Sequence, residues 1–418
     1  MPSTMTFNQA ATLLNAIQQQ ATGQAALTAT NLTEFVSAAT TTLQTGYDPV
    51  MLAISQVLSR TIFSIRPYRR RFGLAEVSDT AYGNHVRKLS PIDKPISEDD
   101  RYKWPVTYDA TETGNPMGDG ESVDMQVINK QKSLQTNFYG QNVWQDSYTI
   151  FRDQFDVAFT GPEELAQFIA MITGNMANKV EQIREDIGRA VVLNSMIGTY
   201  AQNDAASSAF DLAHRTIPLL TLYNAQTGLS TPLTAQTVFQ PENFTPFVRW
   251  AFSIIMSVSD LMEERTSLFQ TNLSTIDGRI NRHTPKARQK LWVASQAMNA
   301  ISTMVRVQNF NDGFMTLPNG VRVESVGYWQ AAQNPLNVTG MATYIGTDGT
   351  TVKMAEAAEL GPVLAYLHDE EALGYATVNS WTAPAPFNAR GGYVTNWLHE
   401  TQKTYNDHTE KSVVFTLT

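Results

Sequence analysis

Apolar residues recur at helical spacing in several stretches of the chain, and the longest sets the scale of the molecule. From Gly161 to Tyr200 the positions Leu165, Ile169, Ile172, Met176, Val180, Ile183, Ile187 and Val191 follow one another by threes and fours, the mark of one sustained helical stripe. Thr160 with Glu163 forms a capping box, and Pro162 falls in the first turn, where its missing N–H costs nothing. At about 1.5 Å per residue this helix runs on the order of 60 Å, more than a compact domain needs. Gly174 and Gly188 are its weak points. A second helix is predicted from Thr245 and Pro246 through Leu268, with Phe247, Val248, Ala251, Phe252, Ile255, Val258 and Met262 on one side, and a third from about Ser295 to Val307. Near the N-terminus, Asn8 to Gln20 and Thr30 to Leu43 read as two short helices, stopped by Gly23 and Gly46.

Elsewhere the helical period is lost. Residues 60 to 160 read as strands and loops punctuated by Pro67, Pro91, Pro95, Pro105 and Pro116. Between Val86 and Val127 the charges, prolines and Gly114, Gly118 and Gly120 predict a long protruding hairpin. Pro318-Asn319-Gly320 and Asp348-Gly349 signal tight hairpins. Residues 201 to 242, rich in Ala, Thr, Gln and Ser, predict a loop or small insertion. At the C-terminus a polar turn, Tyr405 to Ser412, leads into Val413, Val414, Phe415, Thr416, Leu417 and Thr418. This strand must join a sheet formed by earlier residues, because its backbone groups otherwise have no partners. Helices flanking a mixed sheet make an α+β fold.

Composition narrows the function. A chain of 418 residues that is 42% hydrophobic has the material for two or three domains with real cores. It contains no cysteine, which excludes disulfides, thiol nucleophiles and cysteine metal sites. The net charge of −9 argues against a dedicated nucleic-acid binder, which presents a basic stripe to phosphates. The longest apolar stretch, Phe247 to Met262, is interrupted by Arg249, Ser253, Ser257, Ser259 and Asp260, so no membrane span is expected. With no basic region leading into an apolar one at the start, the sequons at Asn31, Asn243, Asn272 and Asn337 are expected to be silent and the protein to begin in the cytoplasm. The first 46 residues hold a single charged side chain, Glu34, and read as an arm ordered against a neighbouring subunit; the alternative is a partly disordered leader.

Candidate chemistry is sparse. The six histidines are scattered without metal-ligand spacing; His399 with Glu400, or His368 with Asp369 and Glu370, would form a site only if the fold assembled one. Gly228-Leu229-Ser230-Thr231-Pro232 lacks the second glycine of a nucleophile elbow, and no dinucleotide or phosphate-loop glycine motif occurs. Asp119 and Asp124 lack the spacing of a calcium loop and suit a hairpin tip. No catalytic residue, metal or cofactor is therefore expected. The one dense basic cluster is Arg66, Arg69, Arg70 and Arg71, and the densest acidic one is Glu98, Asp99 and Asp100. They are either two solvated faces or subunit-interface residues, in which Arg69, Arg70 and Arg71 meet the carboxylates of a neighbour and fix register.

The ending Tyr405-Asn406-Asp407-x-Thr409-Glu410-x-x-Val413-x-Phe415 resembles the close of major capsid proteins of short-tailed double-stranded DNA bacteriophages, which have the Hong Kong 97-type capsid fold. Asn137 to Gly140, Arg152 to Gln154, and Ala158 and Phe159 running into Pro162, Glu163 and Glu164 resemble the approach to that family's spine helix. His283 to Lys286, Gln289, and Leu291 to Val293 resemble its axial domain, so the likeness runs from about Leu74 onward. It implies an N-terminal arm at 1–60, an extended loop and peripheral-domain strands at 61–160, and a spine helix at 161–204. An axial domain at 205–390 and C-terminal strands at 391–418 complete the set. The resemblance also implies a non-enzymatic subunit that assembles with itself as pentamers and hexamers, with scaffolding, portal and decoration proteins as further partners. Such a shell forms in the host bacterial cytoplasm and becomes the virion capsid, enclosing DNA without reading its sequence and without a membrane. Two alternatives are an encapsulin-like compartment, which shares the fold, and a soluble hydrolase using paired carboxylates, which leaves no local signature.

Overall fold

A computed structural model describes residues 7–22, 31–44, 72–76, 86–93, 132–139, 141–152, 154, 162–276, 280–299 and 320–418. The helices are α1 (Phe7–Thr22), α2 (Leu32–Gln44), α3 (Pro162–Tyr200), α4 (Leu219–Thr227) and α5 (Pro241–Glu263). The strands are β1 (Val86–Pro91), β2 (Ser133–Phe138), β3 (Gln141–Phe151), β4 (Thr216–Pro218), β5 (Gln289–Ala294), β6 (Arg322–Val326) and β7 (Asn337–Gly340). They continue with β8 (Thr343–Ile345), β9 (Thr351–Lys353), β10 (Ala358–Asp369), β11 (Leu373–Pro384), β12 (Tyr393–Asn406) and β13 (Ser412–Thr416). The fold is α+β. Two compact units are drawn from Met1–Gly83, Gln141–Gly188 and Tyr375–Lys403, and from Asn84–Gly140, Arg189–Gly374 and Thr404–Thr418.

In the first unit, β11, β12 and β3 form a three-stranded sheet in that order. Strand alternation in β12 buries Val394, Asn396, Leu398 and Glu400 on one face. Leu398 meets Met176 of α3, with Trp144, Tyr148 and Val180 around them. The 39-residue helix α3 confirms the long periodic segment, but its burial departs from the expected single stripe. Met176 and Val191 are buried, Ile172, Val180, Ile183 and Ile187 only half so, while Glu181, Arg184 and Glu185 are interior. Glu185 shows why: its carboxylate accepts the backbone N–H of Phe72 at 3.1 Å, satisfying an otherwise orphaned donor. Helices α1 and α2 bury Leu14, Ile17, Phe35 and Ala39.

In the second unit a six-stranded sheet runs β4-β13-β10-β5-β6, with β7 also on β10. The terminal strand β13 is interior to it, antiparallel to β10 and parallel to β4, and all five of its residues are buried. The core beneath combines Phe247, Val248, Ala251, Ile255 and Val258 of α5 with Leu291, Val293, Leu367, Val413 and Phe415 of the sheet. The second helix starts at Pro241, a turn earlier than predicted, because Pro241 takes the position where a missing N–H is harmless. Residues 201–242 are more than the expected loop. Ile217, Leu219, Leu220, Leu222 and Tyr223 are an apolar run that builds β4 and α4 into this core.

Strands β1 and β2 pair antiparallel from Val86 opposite Phe138 to Pro91 opposite Ser133, so the expected hairpin has a regular stem whose return strand lies beyond Val127. Its remaining residues, 94–131, lie outside the described residues. The Asp348-Gly349 turn joins β8 to β9, with Gly349 at φ 78°, a left-handed conformation that suits glycine. Residues 295–299 are helical; the rest of the third predicted helix, and the turn at Pro318 and Asn319, lie outside the described residues.

Candidate functional site

The polar C-terminal turn that leads into the last strand is buried from Asp407 through Ser412. Its shape is set locally. Asp407 accepts the Thr409 backbone N–H at 2.9 Å and its hydroxyl at 2.6 Å, and Glu410 N–H bonds Asp407 O at 3.2 Å, a turn braced by its own aspartate. His408 O and Phe269 O then bind the backbone N–H groups of Thr271 and Ser412 at 2.8 and 2.9 Å.

The carboxylates of this turn hold the hairpin stem. Alternation along β1 puts Lys88 and Ser90 on its inner face and Arg87 and Leu89 outside. The Lys88 ammonium lies 2.9 Å from Asp407 Oδ2 and also donates to Glu410. Arg282 closes the group, with Nη1 2.5 Å from Glu410 Oε1, Nε donating to Thr409 O at 2.8 Å and Nη2 to Ser90 Oγ at 3.0 Å. A second tie follows β1, where Asp93 accepts Arg265 at 2.7 and 2.8 Å and the Asn281 N–H at 3.2 Å. Burial pushes Glu410 up to about 7 despite two adjacent cations, whereas for Asp407 the Lys88 charge and the Thr409 bond outweigh burial and hold it below the usual carboxylate range. Lys88 is raised for the complementary reason: Asp407 and Glu410 outweigh its burial.

The last two residues of the turn tie it to helices. Lys411 donates to Met262 O at 3.1 Å, Glu264 O at 2.6 Å and Thr266 Oγ1 at 3.2 Å, satisfying carbonyls at the C-terminal end of α5, where a cation is also favoured by the helix dipole. Burial lowers its ammonium to about 8. Ser412 Oγ accepts from Arg215 at 2.8 Å and bonds Thr199 Oγ1 at 3.1 Å. Arg215 is fully interior, and burial pulls its guanidinium down to about 10.

The groupings that sequence left open do not assemble. His399 stacks on Trp381 at 4.2 Å on one face of β12, while Glu400 points to the other and holds Arg184. His368 accepts Trp292 Nε1–H at 2.8 Å and donates to Asp369 O at 2.7 Å, which fixes a neutral ring; burial pushes it down to about 3. Asp369 in turn accepts the Thr284 hydroxyl at 2.7 Å. Among the described residues no group of three or more His, Asp or Glu side chains is placed to hold a metal ion. Arg69, Arg70, Arg71, Glu98, Asp99 and Asp100 lie outside the described residues. What the turn does is mechanical: paired charges and capped carbonyls join the hairpin stem, the end of α5 and the terminal strand within one unit. Sequence reasoning missed Lys88, Arg265, Arg282 and Arg215, which stand far from the turn in the chain and carry no local signal.

No family model matches this sequence, and no curated protein matches it. Solved structures do resemble the fold. A capsid structure of Staphylococcus phage Andhra matches with TM-score 0.46 and 11% identity, over 85% of this chain and 86% of that one. A structure of the head fibre and inner core protein of bacteriophage P68 matches with TM-score 0.47 and 8% identity, over 84% and 85%. The asymmetric unit of the bacteriophage PhiM1 mature capsid matches with TM-score 0.40 and 13% identity, over 84% and 88%.

Proposed function

We propose that this chain is a shell-forming structural protein, the major capsid subunit of a short-tailed double-stranded DNA phage with the Hong Kong 97-type fold. One observation carries the reading: the tail residues on which the sequence resemblance partly rests are those that lock the second unit together. Asp407, Thr409 and Glu410 grip Lys88 and Arg282, and Val413 and Phe415 fill the centre of a sheet. A polar motif whose charges are all engaged in holding secondary structure suits a protein that works by keeping its shape under load.

In this reading α3 is the spine helix, β1 and β2 are the stem of the extended loop, and residues 1–60 are the arm. Copies associate as pentamers and hexamers around DNA that an acidic chain contacts without sequence readout, with scaffolding, portal and decoration proteins as partners. Assembly takes place in the host cytoplasm and the product is the virion capsid. Arg69, Arg70 and Arg71 of one copy meet Glu98, Asp99 and Asp100 of a neighbour. Sedimentation velocity tests this. The purified chain is expected to form fast-sedimenting particles. Reversing the three arginines to Glu is expected to slow assembly at low salt, and reversing the three acids to Lys as well to restore part of it, with the melting temperature nearly unchanged throughout. A discrete monomer at all concentrations overturns the shell reading; an arginine variant that assembles like the parent overturns only that contact.

A further inference from the structure

Phe210 is 94% exposed, yet the loop that presents it is built rather than slack. It occupies the apex of the turn Ser208 to Asp211, closed by Asp211 N–H to Ser208 O at 3.1 Å and by Phe210 N–H to Ser208 Oγ at 3.2 Å. His214 braces the flanks, with Nδ1 2.6 Å from Asp204 Oδ1 and Nε2 3.2 Å from Asp211 Oδ2. Asp204 in turn accepts the Arg215 N–H, and its carbonyl the Thr216 N–H at 2.8 Å, which roots the loop in β4. Single exposed apolar side chains are common. A pre-organised turn has already lost the backbone freedom that association would otherwise remove, which suits the aromatic side chain at its apex to anchor an interface.

The other unit carries a matching recess. A groove of about 180 Å³ beside α3 between Met171 and Lys179 is lined by Tyr148, Met171, Ile172, Asn175, Met176 and Lys179. Ligand pockets begin at about 300 Å³, so this groove is sized for one side chain, and its flexible methionines favour an aromatic occupant, since thioether sulfur packs well on ring edges. The charged groups around both patches are paired within their own copy: Asp204 and Asp211 bond His214, and the half-exposed Lys179 ammonium on the groove rim lies 3.2 Å from Asp146.

We propose that Phe210 of one copy seats in the Tyr148–Met176 groove of a second copy. This rests on the shell reading and specifies one of its contacts. Two different patches of one chain meet, so the contact is head-to-tail and propagates from copy to copy instead of stopping at a dimer, giving rings where the rotation closes and filaments where it does not.

The absence of cysteine makes the test clean. Ala209→Cys, which leaves the Phe210 ring in place, and Met171→Cys are purified separately, mixed under assembly conditions, oxidised with copper phenanthroline and run on a non-reducing gel. A reducible dimer is expected from the mixture, with a yield about tenfold above either variant alone, and Phe210→Ala is expected to retain the parent's melting temperature while losing about tenfold in particle yield. Should Met171→Cys not fold, Asn175→Cys supplies the same wall of the groove. No mixed dimer, a dimer from Ala209→Cys alone, or parent-level particles from Phe210→Ala would each overturn the contact while leaving the shell reading intact. Mixed dimers from a parent that never forms particles would sustain the contact and remove the shell.

Discussion

Lys411 places an ammonium group where solvent does not reach, and the end of α5 explains why the fold tolerates it. Replacing it with Met keeps the apolar stem but leaves the Met262 and Glu264 carbonyls without their donor, and is expected to lower unfolding free energy by about 2–3 kcal/mol. Lys286→Met, which breaks only a surface pair with Asp260, is expected to cost less than about 0.5 kcal/mol. Urea titration of both variants separates the two cases; equal midpoints would show that the Lys411 bonds do not bear on stability. The buried histidines give a pH signature. His408, pushed down to about 3 by burial and by Arg215, and His368, likewise about 3, stay neutral in the fold, while in the unfolded chain they protonate near 6.5. Their folded values are depressed, so their contribution is complete above pH 6.5 and is lost as pH falls toward 3, by about 1.4 kcal/mol per pH unit for each. Melting temperature is expected to fall steeply between pH 6 and 4, and His408→Gln to flatten that slope; parallel curves would place the acid sensitivity elsewhere. None of this was legible in sequence. A run such as Asp407-His408-Thr409-Glu410-Lys411 reads as a wet turn, and only Lys88 and Arg282, far away in the chain, turn it into an interior one.

At the scale of elements, sequence pattern read the long helix and the terminal strand well, because each announces itself over many residues: α3 by sustained periodicity, β13 by a β-branched run after a turn. It misjudged what α3 buries. Periodicity registers apolar positions only and gives no sign that Arg184 and Glu181 are interior, although Arg184 donates to Glu400 of β12 from Nε at 3.2 Å. Arg184→Met is expected to cost about 3–5 kcal/mol by stranding a buried carboxylate, whereas Lys179→Met, at an exposed pair with Asp146, is expected to be nearly silent. Comparable melting of the two variants would contradict the assignment of the interior face. Gly198 offers a second check on α3, since an added Cβ would lie 2.5 Å from His408 Nε2 and 3.0 Å from Tyr344 Cβ. Gly198→Ala is thus expected to destabilise by about 1–3 kcal/mol even though alanine favours helices. The short strand β4 escaped sequence reading for the opposite reason: three residues are too few to show a period, and Ile217 earns its place only beside Phe415.

For the whole molecule, the evident features are mechanical: paired buried charges, a sheet that incorporates the chain's last strand, and an exposed aromatic on a hydrogen-bonded turn. Sequence resemblance supplied the class of function, while the tail residues that carry it proved to be internal fasteners. The cation and anion clusters named from sequence, Arg69 to Arg71 and Glu98 to Asp100, lie outside the described residues, so the interface they propose is carried by charge alone. The central claim is that many copies of this one chain build a closed shell. Electron microscopy of the purified protein, concentrated without any partner and then with bacterial lysate, tests it most directly. Closed shells or tubes of uniform wall thickness are the expected result; a homogeneous field of single subunits under both conditions would contradict it.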